Sequence, residues 1–306
     1  MITIIHLLND IGLGHCKRMQ IYANRLVKEG HKILFFIQKS RDDHFRVLES
    51  FGTQIIQYDD EDSIDIQFEL INMQIENSDH INWVIDTKND CSDWIVFIKN
   101  MAIPVTLFDN PTDARLLADQ NIYPTPLFDR DDLDWEAYRG IVRSGWDELL
   151  LSESIVSLKE TIDEGKRNHV LVTFGGTDPN EITLKVMTLC AKISIQVPIK
   201  IVVGPSFKHH EKIKNLNQEL GARFQLIEDC NDLSEYIANA KCVITAVGVT
   251  IFEAHELGVG TIVISNYETD DKDERKLNDI KNIHCLGNFK HVEKDALMDA
   301  LEVYLA

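Results

Sequence analysis

No stretch of this 306-residue chain is apolar for long enough to cross a bilayer. The opening Met1-Ile2-Thr3-Ile4-Ile5-His6 lacks a positive leader and reaches Asn9-Asp10 after only a few apolar residues, so neither a signal peptide nor a membrane span is expected. Cysteine is sparse and scattered: Cys16, Cys91, Cys190, Cys230, Cys242 and Cys285 form no C-x-x-C pair and none of the density of a secreted disulfide scaffold. They read as reduced thiols of a cytoplasmic protein. Positive charge is also short. With 31 Lys+Arg against 50 Asp+Glu the net charge is −19, which argues against nucleic acid as a partner, because phosphate binding by counterion release needs a basic face. Any anionic ligand must be held by local groups. The chain has no G-x-S-x-G elbow, no H-E-x-x-H and no Walker loop, so serine hydrolase, zinc peptidase and P-loop chemistry have no residues to rest on.

What is present is ample core material, 44% apolar, over a length suited to about two domains. Short β-branched runs alternate with longer amphipathic stretches, the mark of βαβ units around parallel sheets. The first set is Ile2–Leu7, a helix over Cys16–Glu29, Lys32–Ile37, a helix near 42–51, Gln54–Gln57, a helix over Ile64–Glu76, Trp83–Ile85 and Val105–Phe108. Tyr123–Leu151 then holds prolines and an acidic cluster (Asp129, Asp131, Asp132, Asp134, Glu136) with no sustained period and reads as a solvated loop surface. The strand–helix pattern restarts at His169 and runs through Thr261–Ile264, and a terminal helix over Val292–Leu305 carries Ala296, Leu297, Ala300, Leu301 and Leu305 on one face, to dock on one domain or bridge the two. The expectation is an α/β protein of two doubly wound, Rossmann-like domains, 1–155 and 156–306, facing a central cleft that is the default ligand site.

Three turns carry chemistry. Gly12-Leu13-Gly14-His15-Cys16-Lys17-Arg18 follows a strand and opens a helix, where a phosphate loop belongs. The third glycine of a dinucleotide fingerprint would fall on Lys17, and the second strand ends in Ile37-Gln38 without an acidic ribose ligand, so NAD is not expected. The loop does offer an imidazole at a helix start, where the dipole disfavours its cationic form and leaves it able to accept a proton. A capping or core role for His15 is the plain alternative, and His6 reads as a packing residue. The second turn, Gly175-Gly176-Thr177-Asp178-Pro179-Asn180, frees its backbone and suits a diphosphate, with Thr177 and Asp178 as candidate caps. An ordinary strand–helix connection would look the same. In the third, Gly248-Val249-Thr250-Ile251-Phe252-Glu253, a carboxylate one turn into a helix can accept both hydroxyls of a ribose, or simply face solvent. His209-His210-Glu211 lacks a third ligand at suitable spacing, so no metal is expected.

Taken in order, Ile11 through Arg18, Leu171 through Asn180, and Thr250-Ile251-Phe252-Glu253 with Gly258 resemble the UDP-2,4-diacetamido-2,4,6-trideoxy-β-L-altropyranose hydrolases of the pseudaminic acid pathway. These are relatives of the spore coat polysaccharide proteins and, more distantly, of the MurG-type glycosyltransferases. The segment Phe108-Asp109-Asn110 through Ala118-Asp119-Gln120-Asn121 is also similar to that family. The resemblance implies a GT-B fold, a UDP-sugar substrate and no cofactor or metal. It makes His15 the base that activates water on the anomeric carbon, places Gly12, Gly14, Arg18, Gly248 and Thr250 at the substrate, gives the diphosphate to Gly175, Gly176 and Thr177 with Asp178, and gives the ribose to Glu253. A glycosyltransferase using the same base on a hydroxyl, and a binder that has lost turnover, are the rival readings. This chain carries His6, Lys88, Val247-Gly248-Val249-Thr250, Gly258-Val259-Gly260 and Ser265-Asn266-Tyr267-Glu268 where the family has an acidic residue, a tyrosine, Gly-Gly-Ser/Thr, Gly-x-Pro and an Asn-Gln pair. Those positions mark where its sugar or reaction would differ.

Overall fold

The computed structural model describes residues 1–8, 13–39, 48, 54–75, 78, 80–136, 138–204, 207–228, 230 and 232–305. They form two compact units, Met1–Leu151 and Ser152–Ala306. In the first, β1 (Ile2–Leu7), α1 (Leu13–Lys28), β2 (Lys32–Gln38), β3 (Gln54–Tyr58), α2 (Ile64–Ile75), β4 (Ile81–Asp86), α3 (Ser92–Asn100), β5 (Val105–Phe108), β6 (Gln120–Tyr123) and β7 (Ile141–Ser144) follow in turn. The strands make a parallel sheet in the order β3-β2-β1-β4-β5-β6-β7. Apart from Leu48, the helix expected near 42–51 lies outside the described residues.

Both faces of this sheet are covered, which explains why its strands read as continuous apolar runs rather than alternating ones. Ile4, Leu34, Phe36, Trp83, Ile85 and Leu107 pack on one side against Ile71 and Ile75 of α2 and Trp94, Ile95 and Ile98 of α3. Their neighbours in sequence, Ile5, Leu7, Ile33, Phe35, Ile37 and Val84, point to the other side and meet Cys16, Met19, Ala23 and Leu26 of α1. The two-residue period of the strand and the 3.6-residue period of the helix are thus satisfied together. Two polar strands, β6 and β7, extend the sheet beyond the runs legible in sequence.

The second unit begins with α4 (Glu153–Thr161), capped by Ser152, whose hydroxyl accepts from the Ile155 amide. It continues as β8 (His169–Thr173), α5 (Ile182–Cys190), β9 (Ile199–Val202), α6 (His210–Glu219), β10 (Phe224–Ile227), α7 (Ser234–Ala238), β11 (Ala240–Thr245), α8 (Val249–Glu256), β12 (Gly260–Ser265), α9 (Asp271–Asn278), β13 (Ile283–Asn288) and α10 (Lys294–Leu305). The sheet order is β10-β9-β8-β11-β12-β13, again parallel. The terminal helix α10 docks within this unit: Leu297, Ala300 and Leu301 join Val186 and Met187 of α5, Ile213 of α6 and the β-strand residues Val172, Ile201, Ile244 and Ile262 in one core. No helix among the described residues is long and apolar enough to cross a membrane.

Each sheet has one place where the winding reverses, between β1 and β4 in the first and between β8 and β11 in the second. Connections leaving adjacent strands there run to opposite faces and open a crevice at the strand C-terminal ends.

Candidate functional site

His15 lies in the first turn of α1, the helix that leaves β1, and Asp86 is the last residue of β4, in register with Leu7 at the end of β1. The first reversal point therefore brings together two residues 71 apart in sequence, and His15 Nδ1 stands 2.8 Å from Asp86 Oδ1. Arg18, one turn further along α1, donates from Nε to Asp86 Oδ2 at 2.8 Å and also from Nη2 to Oδ1. Its Nη1 donates to Asp109 Oδ2 at 2.8 Å, just beyond β5. Lys88, two residues after β4, reaches the same Asp109 oxygen at 2.6 Å. Asp109 holds a left-handed backbone, φ +50°, while its amide bonds to the Ile122 carbonyl at 2.9 Å.

Asp86 has no solvent exposure, whereas the His15 side chain is 19% exposed. Burial alone would push the Asp86 carboxyl up, but the charge and hydrogen bonds of Arg18, with those of His15, outweigh it and hold the group below the ordinary carboxylate range. An ionised carboxylate can only accept, so the proton facing it sits on His15 Nδ1, and in the neutral ring the lone pair is then on Nε2. Arg18 Nη2, 3.0 Å from the same Nδ1, is there because both groups converge on Asp86. Arg18, expected at the substrate, is thus engaged by two carboxylates. Burial disfavours its charge, yet Asp86 and Asp109 raise its pKa above the usual arginine value. Gly14 is exposed, with nothing within 4 Å of where a Cβ would stand, and Gly12 lies outside the described residues.

In the second unit Thr173 and Thr245 are register partners at the ends of β8 and β11, so the two glycine turns leave the sheet side by side. Gly175 (φ +78°), Gly176 and Gly248 all face open space where a Cβ would be. Thr177 is exposed. Asp178 is buried and, although the N-cap position of α5 is Glu181, its carboxylate satisfies the start of that helix from upstream, accepting from the Ile182 and Thr183 amides at 2.9 Å each and from the Thr183 hydroxyl at 2.6 Å. The turn is held from three further sides. Asn180 donates to the Asn266 carbonyl at 3.1 Å, beyond β12. Glu181 (φ +53°) accepts from Lys212 at 2.6 Å and lies 3.2 Å from His209 Nε2. Gly204, after β9, packs so tightly that a Cβ on it would stand 2.4 Å from Gly176 Cα and 2.6 Å from the Gly175 carbonyl. Gly248 precedes α8 in an extended conformation, and Thr250 and Glu253 sit half-buried in that helix's first turns.

The sequence candidates thus form two groups, His15 with Arg18 in the first unit and the two glycine turns in the second. The places of Asp86, Asp109 and Gly204 in the two groups emerge only from the fold, and Lys88, singled out in sequence as a departure from the resembling family, is placed by it beside Asp109. The ends of both apolar strands in aspartate were the available signal for the first two. His209 and His210 pair with Glu181 and Glu228, and no group of three or more His, Cys, Asp or Glu among the described residues is placed to hold a metal ion. In the acidic segment, Asp129 and Asp134 close local turns on the Asp131 and Glu136 amides.

Two doubly wound parallel sheets in tandem match solved structures over the whole chain. Acinetobacter baumannii MurG superposes with a TM-score of 0.64 at 13% identity, covering 100% of this chain and 91% of that one. The fold is GT-B. HepE from Anabaena, solved in complex with UDP, gives 0.62 at 14% identity over 99% of this chain and 89% of that one. In sequence, the uncharacterized protein MJ1062 of Methanocaldococcus jannaschii is 25% identical over 269 residues, 85% of this chain and 54% of its own length. The spore coat polysaccharide biosynthesis protein SpsG of Bacillus subtilis is 29% identical over 135 residues, 42% of this chain and 38% of its own. The chain thus spans about half of the first relative's length and less of the second's. No family model matches it.

Proposed function

We propose that this GT-B chain is a UDP-sugar hydrolase, which cleaves the anomeric C–O bond of a UDP-amino-deoxy sugar to give UDP and the free sugar for nonulosonate or surface polysaccharide synthesis. The observation that carries this reading is the His15–Asp86 pair, with Nδ1–H committed to a buried carboxylate and the Nε2 lone pair available to a water. His15 Nε2 takes the proton as the water oxygen attacks the anomeric carbon. The bond between the anomeric carbon and the β-phosphate oxygen breaks, its electron pair staying on that oxygen as UDP leaves, and Asp86 stabilises the imidazolium that forms. Gly14 leaves room for substrate beside the base. UDP is a good leaving group, so the remaining work is orientation and charge stabilisation. In the second unit the amides of Gly175, Gly176 and Thr177 and the Gly248–Thr250 helix start suit a diphosphate, and Glu253 suits the ribose hydroxyls. Asp178 acts in this scheme by shaping the turn. The likeness to SpsG supports polysaccharide synthesis as the setting.

A glycosyltransferase reading is favoured by the GT-B neighbours themselves and differs only in the acceptor, a hydroxyl in place of water. The discriminating experiment is UDP release from a panel of UDP-amino-deoxy sugars in plain buffer without acceptor, for wild type and His15→Ala. Hydrolysis predicts steady release, lowered about 10²–10⁴-fold by His15→Ala with UDP affinity unchanged. Release only when a sugar or lipid hydroxyl is supplied would make it a transferase, and binding with no release under either condition a non-catalytic binder.

A further inference from the structure

Around His15 the charges are arranged in an unbroken chain. Asp86 holds the imidazole and Arg18, Arg18 reaches on to Asp109, and Lys88 closes the series on the Asp109 oxygen that Arg18 already occupies. The groups so linked come from four places around this reversal point: Arg18 from α1, Asp86 from the end of β4, Lys88 from the turn after β4, and Asp109 from the turn after β5. Two carboxylates face one guanidinium and one ammonium, so the network beside the imidazole is neutral. Lys88 is the one member on the surface, 52% exposed against 18% for Arg18 and none for Asp86. Arg18 is fixed by three hydrogen bonds to Asp86 and Asp109, but Lys88 is held by Asp109 alone among the contacts of the described residues.

We infer that Lys88 sets the proton affinity of His15 by neutralising Asp109, which makes it a positioning residue acting through Asp109 and Arg18 rather than a group that touches substrate. With Lys88 in place the network adds no net charge beside the base. Without it a carboxylate is left in excess, and the imidazolium is favoured. One unit charge left uncompensated a few side chains away in a partly exposed site moves a titration by about half a pH unit to one unit. The neutral imidazole is the form that can take a proton. The role in turnover rests on the hydrolase reading above; the electrostatic coupling does not.

The test is an NMR titration of the His15 imidazole in the intact chain, assigned with His15→Ala, for wild type, Lys88→Met, Lys88→Arg, Asp109→Asn and Lys88→Met/Asp109→Asn. Lys88 is exposed and asparagine tolerates a left-handed backbone, so these variants preserve the fold. Lys88→Met should raise the His15 pKa by about half a unit to one unit, Asp109→Asn should lower it, Lys88→Arg should leave it at the wild-type value, and the double variant should return towards it. The acid limb of the pH–rate profile for UDP release should move in the same direction as the titration. An unmoved His15 titration in Lys88→Met, or a double variant displaced as far as either single, overturns the inference even if UDP release depends on His15. A titration that moves as described in a chain that releases no UDP upholds the inference and overturns the hydrolase reading instead.

Discussion

His6 is the penultimate residue of the strand that leads towards His15, yet strand alternation turns it to the opposite face, among Phe36, Tyr58, Trp83 and Trp94 with ring centroids 4.6–5.9 Å away. It is fully buried, its Nε2 lies 3.2 Å from the Tyr58 hydroxyl and its Nδ1 has no partner. Burial pushes its pKa down from 6.5 to about 3. The unfolded chain therefore binds a proton below about pH 6.5 that the folded chain refuses until about pH 3, and stability falls with pH across that window. Between pH 7 and pH 5 this single residue should cost the first unit about 2 kcal/mol. Chemical denaturation followed by tryptophan fluorescence isolates that unit, because Trp83, Trp94, Trp135 and Trp146 all belong to it. His6→Phe should remove this share of the acid sensitivity; equal pH dependence in both proteins would show that His6 is not its source. An acidic residue at this position would have no place in such a box, so His6 belongs to the core rather than to a ligand.

At the scale of elements, the turn between β8 and α5 is shaped by its neighbours more than by its own glycines. Gly204→Ala should push the Gly175–Gly176 backbone out of position, because the clashing atoms are main chain and cannot rotate away. We expect at least a tenfold loss of UDP affinity by calorimetry with little change in the His15 titration; unaltered affinity would detach this turn from the diphosphate. Such packing explains which parts were legible in sequence. Strands β1, β2, β5 and β8 announce themselves as β-branched or aromatic runs because both faces are buried. Strand β6, Gln120-Asn121-Ile122-Tyr123, does not, since Asn121 is buried by a hydrogen bond to the Arg115 carbonyl that no local pattern reveals. Helix α9, almost wholly charged with Leu277 as its buried residue, has no apolar stripe to find. At the site, His15 and the glycine turns were visible as strand–helix punctuation. Asp86 and Asp109 were visible only as strand ends, and the role of Arg18 follows from a meeting of strands that no spacing encodes.

For the whole molecule the charge is unevenly spread. Residues 1–151 carry 14 basic and 26 acidic residues, a net of −12, and residues 152–306 carry 17 and 24, a net of −7. A diphosphate approaches such a chain against its long-range field and is held only by short-range groups. Raising salt from about 20 to 200 mM should therefore speed UDP association by a few-fold as repulsion is screened, the reverse of a basic phosphate binder. Stopped-flow measurement of association that slows with salt would show instead that local cations dominate the approach. The same long-range organisation bears on how the His15–Asp86 pair comes to form. It exists only where Leu7 and Asp86 are register partners, and β1 and β4 meet across the 73 residues between Leu7 and Ile81, which include β2 and β3. Such non-local parallel pairing is slow to form, and a slip of one residue would turn Asp86 away from His15 while leaving the helices and most of the sheet in place. On the hydrolase reading, UDP release regained after denaturation would thus lag behind secondary structure, and would report on strand register rather than on collapse.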